Sequence, residues 1–217
     1  MLEKSETFEK TLDILRRDYR GFPKDRDESA MIAVASLIAH SIDSDSPEKI
    51  AKETLTVIHR LFDFQYVYIA LKDEQGIFKY VAQLGLPKDR EDVLFGIRYS
   101  KDDVFDESEY PSTQLSDITR FYMAESSPFK ENEIGTFGRP VMIGQRRSSP
   151  DEMIEADYFD VFITDWNQEP IGWIELSLTR SRMMPDRTSI AWVELIATLI
   201  GMILSKKNRG AIDAIES

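Results

Sequence analysis

The sequence predicts a mixed α/β (α+β) domain in which antiparallel hairpins lie between terminal helices. Three observations carry that reading. Apolar residues recur at helical spacing near both ends of the 217-residue chain, they alternate with a period of two in two separate stretches, and each such stretch runs through a turn into a second alternating strand. The length suits one domain with a sizeable core and is short for two.

Phe8, Leu12, Leu15 and Tyr19 place a single apolar stripe on a helix over 4–19, and Gly21-Phe22-Pro23 ends it, because proline disfavours helix in the residue before it. So short a stripe does not hold a helix alone in water, so it has to pack on the domain's own helices or on a second copy. The second helix is expected over 29–42, with Met31, Val34, Ala35, Ile38 and Ile42 facing inward. Ser46 and Pro47 are an N-cap and first-turn residue for a third, whose buried stripe is Ile50, Thr54, Val57, Ile58, Leu61 and Phe62.

The period then changes. Residues 66–73 alternate, Glu74-Gln75-Gly76 turns the chain, and 77–84 returns as the second strand of a hairpin. In the middle segment, 85–150, strands are expected at 95–99 and 137–144, the latter at an edge because of Pro140, with an acidic loop at 101–110 and a short helix around 113–124. A second hairpin follows, 158–166 and 171–178 around Asn167-Gln168-Glu169-Pro170. The last helix is expected over about 187–207, with Lys206, Lys207 and Arg209 complementing its dipole and Gly210 as C-cap.

Composition removes several functions. A net charge of −12 opposes nucleic-acid binding and attraction to anionic membranes. The absence of cysteine removes disulfides, thiolate metal sites, thiol nucleophiles and thioether-linked chromophores. The first ten residues have no apolar run of the signal-peptide kind, and 190–204 falls short of a membrane span and carries Glu194, so a cytoplasmic chain is expected.

The order helix–helix–hairpin–irregular middle–hairpin–long apolar helix resembles a GAF domain. The residues that carry the likeness are YVYIALKD (66–73) with the following Gly76, PIGWIELSL (170–178) with Gly172, and DRTSIAWVELIATLIGMIL (186–204), and it spans about residues 29–206. The resemblance implies a central antiparallel sheet of five to six strands, terminal helices on one face, and a ligand pocket under the middle segment on the other. It implies a sensory, dimerising module of signal transduction rather than an enzyme. The corresponding organisation is an N-terminal helix and linker (1–28), a GAF-like domain (29–208) and a tail (209–217). Bilin-binding and methionine sulfoxide reductase chemistry of GAF domains is excluded for want of cysteine, and the NKxD-type signature of cyclic-nucleotide binding is missing.

Strand parity points the same way. Val67, Ile69, Leu71, Phe159, Val161, Ile163, Ile174, Leu176 and Leu178 form one aliphatic face, suited to helix packing. The opposite parity gives Tyr66, Tyr68, Asp160, Phe162, Thr164, Trp173, Glu175 and Ser177, large aromatics with sparse polar groups, as in a small-molecule site. The candidate ligand-binding residues are therefore Tyr66, Tyr68, Tyr80, Asp160, Phe162, Thr164, Trp173 and Glu175. Two readings of that face stand: a pocket for an unidentified small molecule, or a second small core with no ligand. Asp160 and Glu175 would meet either a ligand or one of Arg98, Arg139 and Arg146, since a buried carboxylate needs a partner.

No catalytic constellation emerges, and an enzyme on the same fold stands as the alternative behind the sensor and the non-binding scaffold. His40 and His59 read as ordinary helix residues, the acidic run Asp102, Asp103, Asp106, Glu107 and Glu109 lacks the spacing of a calcium loop, and Arg146-Arg147-Ser148-Ser149 reads as an exposed turn, with contact to an anion as the alternative. No cofactor is implied. The partners expected are a second copy through the terminal helices and an output domain or protein, with no nucleic acid and no membrane insertion.

Overall fold

The computed structural model describes residues 25–44 and 46–215, together with Lys10, Asp13 and Ile14; over 208–215 it describes the backbone alone. The helix expected over 4–19 lies outside the described residues except for those three, which are helical.

Helix α1 (Arg26–Asp43) is capped by Asp25, and α2 (Pro47–Leu61) by Ser46 with Pro47 in its first turn. Strands β1 (Phe64–Lys72) and β2 (Phe78–Leu84) form the first hairpin. Its turn is held by Asp73, whose carboxylate accepts the N–H groups of Gln75 and Ile77 at 3.0 Å, and by Gly76 in the left-handed region at φ +82°. Short helices α3 (Glu91–Gly96) and α4 (Lys101–Val104) lead to a small hairpin, β3 (Thr113–Gln114) and β4 (Thr119–Tyr122). Several single 3-10 turns follow before β5 (Tyr158–Thr164), β6 (Pro170–Thr179) and α5 (Arg187–Ile215).

The six strands form one antiparallel sheet in the order β2-β1-β6-β5-β4-β3. Helices α1, α2 and α5 cover one face, where Val67, Ile69, Phe159, Val161, Ile174 and Leu176 meet Ile50, Ile58, Val193, Ile196 and Ile200 in the principal core. Residues Arg187–Lys207 of α5 are long and apolar enough to cross a membrane by length and composition, but Val193, Ile196, Ala197 and Ile200 are buried against the sheet. The fit is close: a Cβ on Gly201 would stand 2.3 Å from the carbonyl oxygen of Thr164.

Several expectations change. The buried face of α1 is Ala30, Ala33, Val34 and Leu37, while Met31 and Ile42 are more than half exposed and Ala35 faces solvent. This helix is apolar almost all round, so periodicity did not fix its rotation. Residues 91–96 are helical instead of 95–99 forming a strand, because Glu91 and Asp92 favour a helix start, and only Tyr99 bridges to Phe78. The helix expected at 113–124 is the β3–β4 hairpin: Phe121 packs on Phe159 at 4.5 Å on the helix side and Tyr122 stacks on Tyr158 at 4.4 Å on the other. The strand expected at 137–144 is irregular, since Pro140 has no N–H to pair and opens a 3-10 turn. Helix α5 continues through Gly210 to Ile215, so that glycine is no cap. Leu178 adopts φ +52°, leaves the aliphatic parity and joins the cluster on the opposite face.

Candidate functional site

The face of the sheet turned away from the helices is built from three cross-strand rows. The first joins Tyr80, Ala70, Trp173 and Phe162, the second Tyr68, Glu175, Asp160 and Arg120, and the third Tyr66, Ser177, Tyr158 and Tyr122. Residues 85–157 cover this face. Tyr66 and Tyr68 support the cover: the Tyr68 hydroxyl donates to the Thr136 carbonyl at 3.3 Å, and the Tyr66 ring lies so close under Gly138 that a Cβ there would clash at 2.1 Å.

A cavity remains between sheet and cover. Tyr80, Tyr99, Tyr110, Tyr122, Tyr158 and Trp173 make most of its wall, with Phe129 and Phe137 from the cover, and three carboxyl groups, Glu133, Asp160 and Glu175, reach into it. It measures about 490 Å³ with its mouth included, of which about 40 Å³ accepts the centre of a water molecule, room for a few waters. Trp173 makes edge contacts with Tyr80 at 5.9 Å and Tyr99 at 5.7 Å, so the wall is a connected aromatic network.

The polar groups are unevenly satisfied. Glu133 accepts from the Tyr110 hydroxyl at 2.6 Å and the Lys130 backbone N–H at 2.7 Å. Glu175 accepts a short hydrogen bond from the Tyr80 hydroxyl. Asp160 Oδ1 is buried without a partner, and so is the Trp173 indole N–H, which lies near enough to Glu175 to favour its anion without reaching hydrogen-bond geometry. Asp160 and Glu175 stand directly opposite each other in the β5–β6 ladder, an arrangement that costs energy when both are charged. Burial pushes both up: Glu175 to about 7, chiefly by desolvation, and Asp160 well above the carboxylate range by desolvation and then by Glu175. Burial likewise raises Tyr80, Tyr99 and Tyr158, which keeps their hydroxyls neutral donors.

Other buried carboxylates nearby are fully partnered. Asp157 accepts from Arg147 twice at 2.9 Å and from the N–H groups of Ala124 and Ile154, and Glu155 accepts from Arg139 through Nε at 3.2 Å and the backbone N–H at 2.9 Å. Arg147 therefore lies in a buried clamp with Asp157 and Glu125, not in the exposed turn expected of it, because the Asp157 anion draws it inward. None of Arg98, Arg139 and Arg146 pairs with Asp160 or Glu175: Arg98 bonds the Phe95 and Ile97 carbonyls and Arg139 is held by Glu155. Among the described residues no group of three or more His, Cys, Asp or Glu is arranged to hold a metal ion, the acidic run at 102–109 included. Two of its aspartates are turn caps, Asp103 for Ser100 and Asp106 for Ser108.

Of the eight residues singled out from sequence, Tyr80, Asp160, Trp173 and Glu175 come together at the cavity. Tyr66 and Tyr68 lie on the same face beneath the cover, Phe162 stacks on Phe105 at 5.5 Å, and Thr164 is half-buried beside the bulge that ends β5. Sequence reasoning missed Glu133, Tyr110, Tyr99, Tyr122 and Tyr158. Tyr158 shares the parity of Asp160 on one strand and the spacing of Lys130 and Glu133 is that of a helical-turn cap, whereas Tyr122 fell in the stretch read as a helix.

The fold is that of a GAF domain. No protein-family model matches the sequence and no curated protein does, but solved structures share the architecture. The GAF domain/HD domain protein of Geobacter sulfurreducens superposes with a TM-score of 0.54 at 12% identity, covering 79% of this chain and 97% of that one. The GAF domain of a phosphoenolpyruvate-protein phosphotransferase from Coxiella burnetii does so at 0.53 and 13% identity, covering 84% and 97%. A bacteriophytochrome from R. palustris does so at 0.54 and 14% identity, covering 91% of this chain and 40% of that chain.

Proposed function

We propose that the chain is a sensory module of signal transduction that binds a small molecule between its sheet and the 85–157 cover and pairs with a second copy through its terminal helices. The observation that carries the ligand reading is a buried carboxylate oxygen, Asp160 Oδ1, and a buried indole N–H, Trp173, both without partners at one aromatic-walled cavity. Leaving such groups unpaired costs roughly 1–3 kcal/mol each, and a bound molecule removes that cost. The likeness to regulatory GAF domains supports a signalling role, and the cavity wall brings no Ser, His or Cys nucleophile, which favours sensing over catalysis. Dimerisation is supported by Met31, Ile32 and Ile42 on α1 and Leu195 and Met202 on α5, all exposed on helices tied together by Trp192 donating to Asp27 at 3.0 Å.

A second reading, a pairing scaffold with a filled pocket, is favoured by the small water-accessible space of about 40 Å³ against the several hundred of ordinary ligand sites. Native mass spectrometry of freshly purified protein separates the two. The sensory reading expects a dimer that retains a small molecule or takes one up from a metabolite extract; a dimer that never carries added mass favours the scaffold, and a monomer at tens of micromolar removes the pairing claim.

A further inference from the structure

The cavity has more acceptors than donors. Among the described residues three carboxyl groups line it and no lysine, arginine or histidine does. Among the described residues the cations near it are turned elsewhere: Lys130 to Asp103 at 3.3 Å, Arg139 to Glu155, Arg147 to Asp157 and Glu125, and Arg90 to the Phe137 carbonyl at 3.4 Å. Arg120, opposite Asp160 in the ladder, turns its guanidinium over Phe105 at 5.3 Å and Phe162 at 6.0 Å and stands 3.9 Å from Glu107. Folding has thus placed Asp160 beside Glu175 with Arg120 acting on it only from a distance and Tyr122 nearby, without the direct ion pair that it provided for Asp157 three residues earlier. Trp173, Tyr80 and Tyr99 line the same cavity as the pair, and electron-rich aromatic rings attract cations. The acids do not converge as a metal's ligand set does, so the missing charge is better met by a group that spreads several N–H donors.

From this geometry, and resting on the pocket reading above, we infer that the ligand is a small organic cation of the alkylammonium or guanidinium class, held by Asp160 and Glu175 against the Trp173–Tyr80–Tyr99 wall. The space limits its charged end to a few heavy atoms. Burial favours the protonated form of both acids, helped at Asp160 by the Glu175 charge and at Glu175 by that of Glu133, and a bound cation replaces those protons. The other groups facing the pair are Tyr68, Tyr80, Tyr122 and Arg120 from the sheet and Glu133, Tyr99 and Tyr110 from the cover; burial raises all five tyrosines, so they stay neutral and binding strengthens as pH rises from 6 to 8.

The test compares two molecules of one shape and different charge. Guanidinium and urea, at low millimolar concentration and constant ionic strength, are titrated into the whole 15N-labelled chain while the indole N–H resonance of Trp173 is followed, with acetate as the anionic control. The inference expects guanidinium to shift that resonance saturably, more tightly at pH 8 than at pH 6, with urea and acetate inert. Asp160→Asn or Glu175→Gln, each nearly isosteric and checked for native circular dichroism, then weakens guanidinium by about tenfold or more. Equal shifts by urea and guanidinium, or a shift by acetate alone, overturn the charge assignment while leaving a pocket. A resonance that none of the three moves overturns it as well, and if native mass spectrometry also finds no retained molecule, the pocket reading falls with it.

Discussion

The two faces of the sheet solve the same burial problem differently. Toward the helices, Val67, Ile69, Phe159, Val161, Ile174 and Leu176 interdigitate with aliphatic side chains and contribute no polar atom. Toward the cover, the strands carry Tyr68, Asp160, Tyr158, Trp173 and Glu175, all buried, and a cavity persists among them. The first face stabilises the domain through area removed from water. The second holds buried acids, some of which have partners and some of which do not, and that distinction separates scaffold from site. Asp157 and Asp160 state it most directly: three residues apart, the one just before β5 and the other within it, both buried, the former meeting four donors and the latter presenting an unpaired oxygen.

The largest effect is expected where a partnered acid is stripped. Arg147→Met leaves Asp157 buried and uncompensated, and urea unfolding is expected to show a loss of about 3–5 kcal/mol. Next comes the aliphatic face, where Ile69→Ala removes a fully buried side chain for about 2–5 kcal/mol. The comparison breaks if Asp160→Asn does the same. It is expected to stabilise the protein by roughly 1–2 kcal/mol at pH 8, because an amide removes a repulsion that has no counterion. The smallest effect belongs to Tyr80→Phe, which takes one donor from Glu175 and should cost about 1 kcal/mol without unfolding the domain.

These contrasts also mark what was legible in the sequence. The two hairpins were, because alternation and the Asp73–Gly76 and Asp165–Pro170 turns speak locally; Asp165 accepts the N–H groups of Asn167 at 2.8 Å and Glu169 at 2.9 Å. The unlike characters of the faces followed from parity, apart from Leu178, whose left-handed backbone no period reveals. The rotation of α1 was not legible, since Ile32 and Leu37 are equally apolar and only packing against α2 and α5 chooses between them. The cover was hardest: Glu133 and Tyr110 meet across 23 residues in which only the short β3–β4 hairpin interrupts irregular turns. For the same reason Tyr68, expected at the ligand, lies beneath the cover, where Tyr68→Ala should destabilise the fold as a core substitution does, by about 3–5 kcal/mol.

The uncompensated pair is tested most directly by the pH dependence of stability. Glu175 and Asp160 bind protons more tightly folded than unfolded, so their contribution is greatest below the unfolded carboxylate pKa and falls as pH rises through the folded value. His59 is lowered by burial and Asp186 by Arg26, and each contributes with the opposite sign, so a comparison of variants is needed. Urea unfolding of the native chain and of Asp160→Asn/Glu175→Gln, each at pH 5 and pH 8, isolates the pair. The native chain is expected to lose on the order of 3 kcal/mol relative to the variant across that interval; identical pH profiles would mean that the two acids already have their countercharge, and would contradict the account.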